Sequence, residues 1–153
     1  MTAQLPLNNQ ATQSLYEKDF YLWLEMTAQL LRDRRLDYLD YDNLIEEIET
    51  MGRSEKQALW SDVKIVVLHL LKWKYQPECR SGSWKGSIKE HRRRIHKLLK
   101  DSPSLKKYLP QFLEECYGEA REDAIEETGL YPLNFPRECP FSLEQIQDIT
   151  YLP

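Results

Sequence analysis

The segment VKIVVLHLLKW, residues 63 to 73, leaves this chain few ways to fold. Wound as a helix it is apolar on nearly every side, and such a helix belongs in the middle of a bundle. No apolar run in the chain approaches the ~18 residues of a membrane span. The end of the helix is also set locally. Pro77 cannot continue the hydrogen-bond ladder, and it disfavours helix in Gln76 before it.

The flanking sequence supplies the helices that must surround it. Tyr16, Phe20, Trp23, Thr27, Leu30 and Leu31 recur at three- and four-residue spacing. They predict a first helix capped by Ser14 and fading near Arg34–Arg35. Residues 1–13 show no such pattern and are expected to form a loose arm. DYDNLIEEIETMG predicts a second helix, capped by Asp40 or Asp42 and ended by Gly52, with Leu44, Ile48 and Met51 as its apolar side. Ser54 is expected to open the third helix, which carries the 63–73 segment. A loop over 77–83 precedes a fourth helix, capped by Ser83 and running to about Lys100, with Ile88, His91, Ile95 and Leu98 or Leu99 inward. Pro110 suits the first turn of a fifth helix, whose face holds Phe112, Cys116, Tyr117, Ala120 and Ala124 and whose stop is Gly129. The tail, 129–153, is broken by Pro132, Pro136, Pro140 and Pro153 and should wrap irregularly, with a Ser142/Gln145 capping box. The expected fold is all-α: one helical domain over 14–153, a bundle of about five main helices closed by a proline-rich tail.

Composition narrows the setting. A hydrophobic fraction of 41% with 30% charged residues is that of a globular protein, not a disordered chain. MTAQLPLNNQATQS lacks the basic and apolar regions of a secretory signal. Cys79, Cys116 and Cys139 are odd in number and form no CxxC pair, so a reducing cytoplasm is the expected compartment. The net charge of -4 conceals segregation. Segment 85–107 has nine Lys/Arg against Glu90 and Asp101, a net of +7. Segment 37–55 has seven acids against Arg53, a net of -6, and segment 113–148 has ten acids against Arg121 and Arg137, a net of -8. Either the blocks neutralise one another in the fold, or one sign faces a partner.

A particular set of residues marks a resemblance. Asp19 and Trp23 come first, then Asp40, Leu44, Glu46-Glu47 and Met51-Gly52. HLLKW at 69–73 with Gln76-Pro77 follows, then Arg80, Ser83-Trp84, Arg93, Pro103-Ser104-Leu105, Tyr117 and Ala120-Arg121. Phe135-Pro136, Cys139-Pro140 and Tyr151-Leu152-Pro153 close the series. In these the chain resembles the domain of unknown function family 29, a bacterial family abundant in cyanobacteria, over roughly residues 15 to 153. The resemblance implies a helical fold and carries no activity, cofactor or catalytic residue.

The residues themselves offer candidates. Asp19, Glu47, His69 and Arg121 are polar groups on or beside apolar helical faces, where an unpaired charge costs several kcal/mol. They are expected either to satisfy one another as a structural network or to form an acid–base site, with His69 as the group titrating near neutrality. Asp19, Glu47 and His69 are also the candidate metal ligands, although ExxH, HExxH and HxxxH are all absent. No histidine partner is evident for a cysteine nucleophile. SGSWKGS lacks the P-loop spacing and reads as a loop and helix cap, with Arg80 and Lys85 as possible anion contacts. Lys85, Lys89, Arg92, Arg93, His96 and Lys100 follow one side of the fourth helix. The preferred reading is a protein–protein interaction module using that basic helix, with Arg92, Arg93 and Lys97 as contacts. A metal-dependent or acid–base enzyme and a nucleic-acid binder are the alternatives. No cofactor is expected, and the oligomeric state is left open.

Overall fold

The computed structural model describes residues 9–153, with side chains from Thr12 onward. Every regular element among them is helical. No helix among the described residues is long and apolar enough to cross a membrane. The main helices are α1 (Asn9–Lys18), α2 (Phe20–Arg32), α3 (Tyr41–Tyr75), α4 (Gly82–Asp101), α5 (Leu109–Thr128) and the short α6 (Leu143–Gln147). Short 3-10 turns fill several of the connections. The chain divides into two compact units, Met1–Arg53 and Ser54–Pro153, with α3 starting in the first and ending in the second.

In the first unit the helix expected from Ser14 onward is two helices. α1 already starts at Asn9, so part of the expected arm is helical, and residues 1–8 lie outside the described residues. The break falls at Asp19, whose backbone leaves helical geometry and whose carboxylate accepts the Leu22 amide proton at 3.0 Å. Asp19 is thus an exposed N-cap. Trp23 is fully buried, and its indole N–H donates to the Asp40 carboxylate at 3.3 Å. Asp40, only 1% exposed, also accepts from the Asn43 side-chain amide at 2.7 Å. Tyr16 meets the Trp23 ring edge-on, and Phe20 stacks on it.

The expected boundary at Gly52 and Ser54 is absent, because α3 runs unbroken through both. Glycine inside a helix weakens it but ends it only where the backbone turns left-handed. Gly129 does that at φ 67° and terminates α5, whereas Gly52 keeps a negative φ. Arg53 further braces this stretch through Glu46 and Glu49 of the same helix.

In the second unit, Leu59, Val63, Val66, Val67, Leu70 and Leu71 of α3 are wholly buried. Around them pack Ile88 and Ile95 of α4, Phe112, Cys116, Ala120 and Ala124 of α5, and Phe135, Phe141 and Ile146 of the tail. α4 is capped by Ser81 rather than Ser83, the hydroxyl accepting the Trp84 amide proton at 3.2 Å. Ser142 and Gln145 form the expected capping box.

Gly52→Ala should raise stability by about 1 kcal/mol, since no atom lies within 4 Å of the Cβ position and only the helix penalty of glycine is removed. Urea unfolding followed by far-UV circular dichroism measures it.

Candidate functional site

The four polar candidates find separate partners. Asp19 and Glu47 belong to the first unit and His69 and Arg121 to the second. Asp19 caps α2, as described. Glu47 accepts the Tyr16 hydroxyl proton at 2.5 Å, a bond that pushes the Tyr16 phenol above its ordinary value. His69 Nδ1 lies 2.9 Å from the Ile65 carbonyl, to which it donates. Burial is the main force holding the His69 imidazole below its usual value, and the charges of Lys72 and His91 act in the same direction. Arg121 donates to the carbonyls of Pro132, Phe135 and Pro136, at 2.7 to 3.3 Å, and so fastens the first turn of the tail. Among the described residues no three His, Cys, Asp or Glu side chains are arranged to hold a metal ion.

The second unit instead joins two residues that the sequence showed separately. His91 of α4 places Nδ1 2.6 Å from Oδ1 of Asp62 on α3. Their side chains are only 15% and 10% exposed. Nδ1–H donates to the carboxylate, which orients the ring. Lys72 of α3 is likewise buried, 2.5 Å from Glu127 of α5 and 4.6 Å from the centre of the Trp84 ring. Asp62 stands one heptad before His69, and His91 lies on the inner stripe of α4. Both were visible as polar residues on apolar faces, but their pairing joins α3 to α4 across 29 positions.

On α4 the basic residues divide. Arg92 does not belong to the exposed surface expected of it. It is 1% exposed and donates to the carbonyls of Gln145, Ile146 and Tyr151 at 2.7 to 2.8 Å. Burial lowers the pKa of its guanidinium. His96 reaches the Gln147 carbonyl at 2.8 Å, and Arg80 donates to the Trp73 carbonyl at 2.8 Å. Lys85, Lys89, Arg93, Arg94, Lys97 and Lys100 stay exposed. Lys85 and Lys89, with Arg92 and tail residues Thr150 and Leu152, line a cleft of 260 Å³.

The ion pairs show which charges neutralise which. Among the described residues, the Lys and Arg side chains of α4 pair only with Glu90 and Asp101 of α4 itself. The acids of α5 go to α3: Lys64 pairs with Glu119 and Asp123, and Lys72 with Glu127.

Residues 15–152 match the family described as Domain of unknown function DUF29. The chain belongs to this family. No curated protein and no solved structure matches it. The family description carries no chemistry, so a role for this DUF29 protein has to be argued from its own side chains.

Two outcomes follow from these contacts. Arg92→Met should destabilise the protein by about 3 kcal/mol, because three buried or half-buried carbonyls lose a charged donor, whereas Arg93→Ala should stay within about 0.5 kcal/mol of wild type. Urea unfolding of the two variants separates them. Burial favours neutral His69 in the fold, so the unfolded chain takes up that proton more readily. Its contribution is complete above the ordinary pKa of 6.5 and is lost as pH falls from there through the depressed folded value. The urea midpoint should therefore drop less between neutral and acid pH in His69→Gln than in wild type.

Proposed function

We propose that this DUF29 protein is a macromolecular interaction module whose α4 engages an acidic surface of another protein. The supporting observation is that, among the described residues, the Lys and Arg side chains of α4 form ion pairs only with its own Glu90 and Asp101. Segment 85–107 carries nine Lys/Arg against those two acids. Like charges one turn apart on a helix repel, and an acidic partner would relieve the repulsion. Arg93 and Lys97 are the leading contacts, with Lys85 and Lys89 available beside them and Arg80 at the helix approach. Arg92 supports this surface from behind by holding the tail. An overall charge of -4 favours a protein partner over nucleic acid, whose phosphates would have to be met by a net negative molecule. The reading needs no cofactor, and three free cysteines suit a reducing compartment such as the cytoplasm.

A second reading rests on the Asp62–His91 pair. A carboxylate-held imidazole is a general acid–base group in search of a substrate. It replaces the expected Asp19, Glu47, His69 and Arg121 constellation as the centre of any enzymatic role. Cys116 does not supply it with a nucleophile, because burial pushes its thiol up to about 12.

Affinity purification from the source cells at about 50 mM salt, with nuclease present, tests the first reading. A stoichiometric protein should be retained by wild type and lost from Arg93→Glu/Lys97→Glu, with helicity unchanged. Retention unaffected by that charge reversal, or material released by nuclease, contradicts it.

A further inference from the structure

The N-terminal turns of α3 present an apolar face to solvent. Tyr41, Ile45, Ile48 and Met51 are 49%, 52%, 60% and 68% exposed. With Leu44 and Gly52 they fall within about 60° of Ile48 around the helix, along a stripe about 18 Å long. Spacing of three, four and seven residues is the pattern by which one helix grips another. A contiguous exposed apolar stripe of this kind, rimmed by polar residues, marks an interaction surface.

Gly52 is the second observation. It lies at the C-terminal end of the stripe, beside Ile48 and Met51, inside an exposed stretch of helix where glycine is unfavourable. A Cβ there would meet nothing within 4 Å, so no described part of the chain requires its absence. A helix of another molecule crossing at this point would require it, because a missing side chain lets two axes approach at the short end of the usual 8–10 Å range.

The rim states the charge of the occupant. Asp42, Glu47 and Glu49 flank the stripe, and Arg53 is the one basic residue between 37 and 55. Two copies of this face would bring acid against acid. We propose that the Tyr41–Gly52 face of α3 seats an amphipathic helix of a partner protein, apolar or small along its contact stripe and basic on its flanks. This surface uses residues other than those of α4 and carries the opposite charge.

The test uses the full chain and a labelled synthetic helix of about 18 residues, Leu and Ala on one face and Lys on its flanks, together with the same peptide carrying Glu for Lys. Fluorescence anisotropy should show saturable one-to-one binding of the basic peptide and none of the acidic one. Ile48→Glu and Gly52→Leu should each weaken it at least about tenfold. Both positions are exposed, so circular dichroism should show the fold intact. Arg93→Glu/Lys97→Glu should bind the peptide no more weakly than wild type, which keeps failure here distinct from failure of the α4 reading. The proposal is overturned if the basic peptide does not saturate, if the acidic peptide binds equally, or if neither α3 variant weakens binding. Sedimentation showing a wild-type dimer that Ile48→Glu dissolves also overturns it, by assigning the face to a second copy.

Discussion

The second unit is organised by one constraint: the segment from Leu59 to Leu71 has to be kept from water around almost its whole circumference. Val63, Val66, Val67, Leu70 and Leu71 reach zero exposure, and together they point in nearly every direction about the α3 axis. Each such side chain gains roughly 1.5–3 kcal/mol by burial. No single neighbouring helix can cover them. α4, α5 and the tail each take a share, and that need explains why twenty-odd irregular residues after Gly129 supply Phe135, Phe141 and Ile146 to the core.

An irregular segment brings its own difficulty, since its carbonyls are not spent on a ladder. Donors from the helices, most of them buried or half-buried, answer it. Arg121 and the Tyr117 hydroxyl serve Pro132, Phe135 and Pro136, while Arg92 and His96 serve Gln145, Ile146, Gln147 and Tyr151. Arginine suits this work because its planar fork offers several donors in fixed directions. The requirement also decides what α4 can offer a partner. A guanidinium occupied by three main-chain carbonyls is unavailable at the surface, however well its position matches a basic stripe.

That distinction marks where the sequence stops being readable. Helical periodicity, Pro77, Pro110, Gly129 and the Ser142/Gln145 box act through neighbours in the chain, and the structure follows them closely. Gly52 misleads because the same residue type ends a helix or merely weakens it, depending on a backbone angle that composition does not encode. Asp19 misleads for a related reason: spacing alone places it with Tyr16 and Trp23, but a short carboxylate that can cap α2 breaks the helix instead. Arg92 and His91 are set by groups more than 25 positions away, the tail carbonyls and Asp62. A single sequence supplies the residues of such pairs without their pairing.

Charge segregation acquires a definite meaning once these contacts are known. The acids of α5 are partly spent on Lys64 and Lys72, both on α3, so that block performs structural work inside the second unit. In the basic block of α4 and the acidic block around Gly52, Arg92, Asp40 and Glu47 work through hydrogen bonds, but the described ion pairs of the Lys, Arg and acidic side chains stay within their own helices. Pairs that exposed contribute at most about 1 kcal/mol, too little to account for charge concentrated so strongly by sign. Clusters of one sign also raise the cost of folding by self-repulsion. The acidic cluster coincides with uncovered isoleucine and methionine and with a glycine that no described part of the chain requires. Folding alone explains none of those three features, whereas recognition of a basic, apolar helix uses all of them at once.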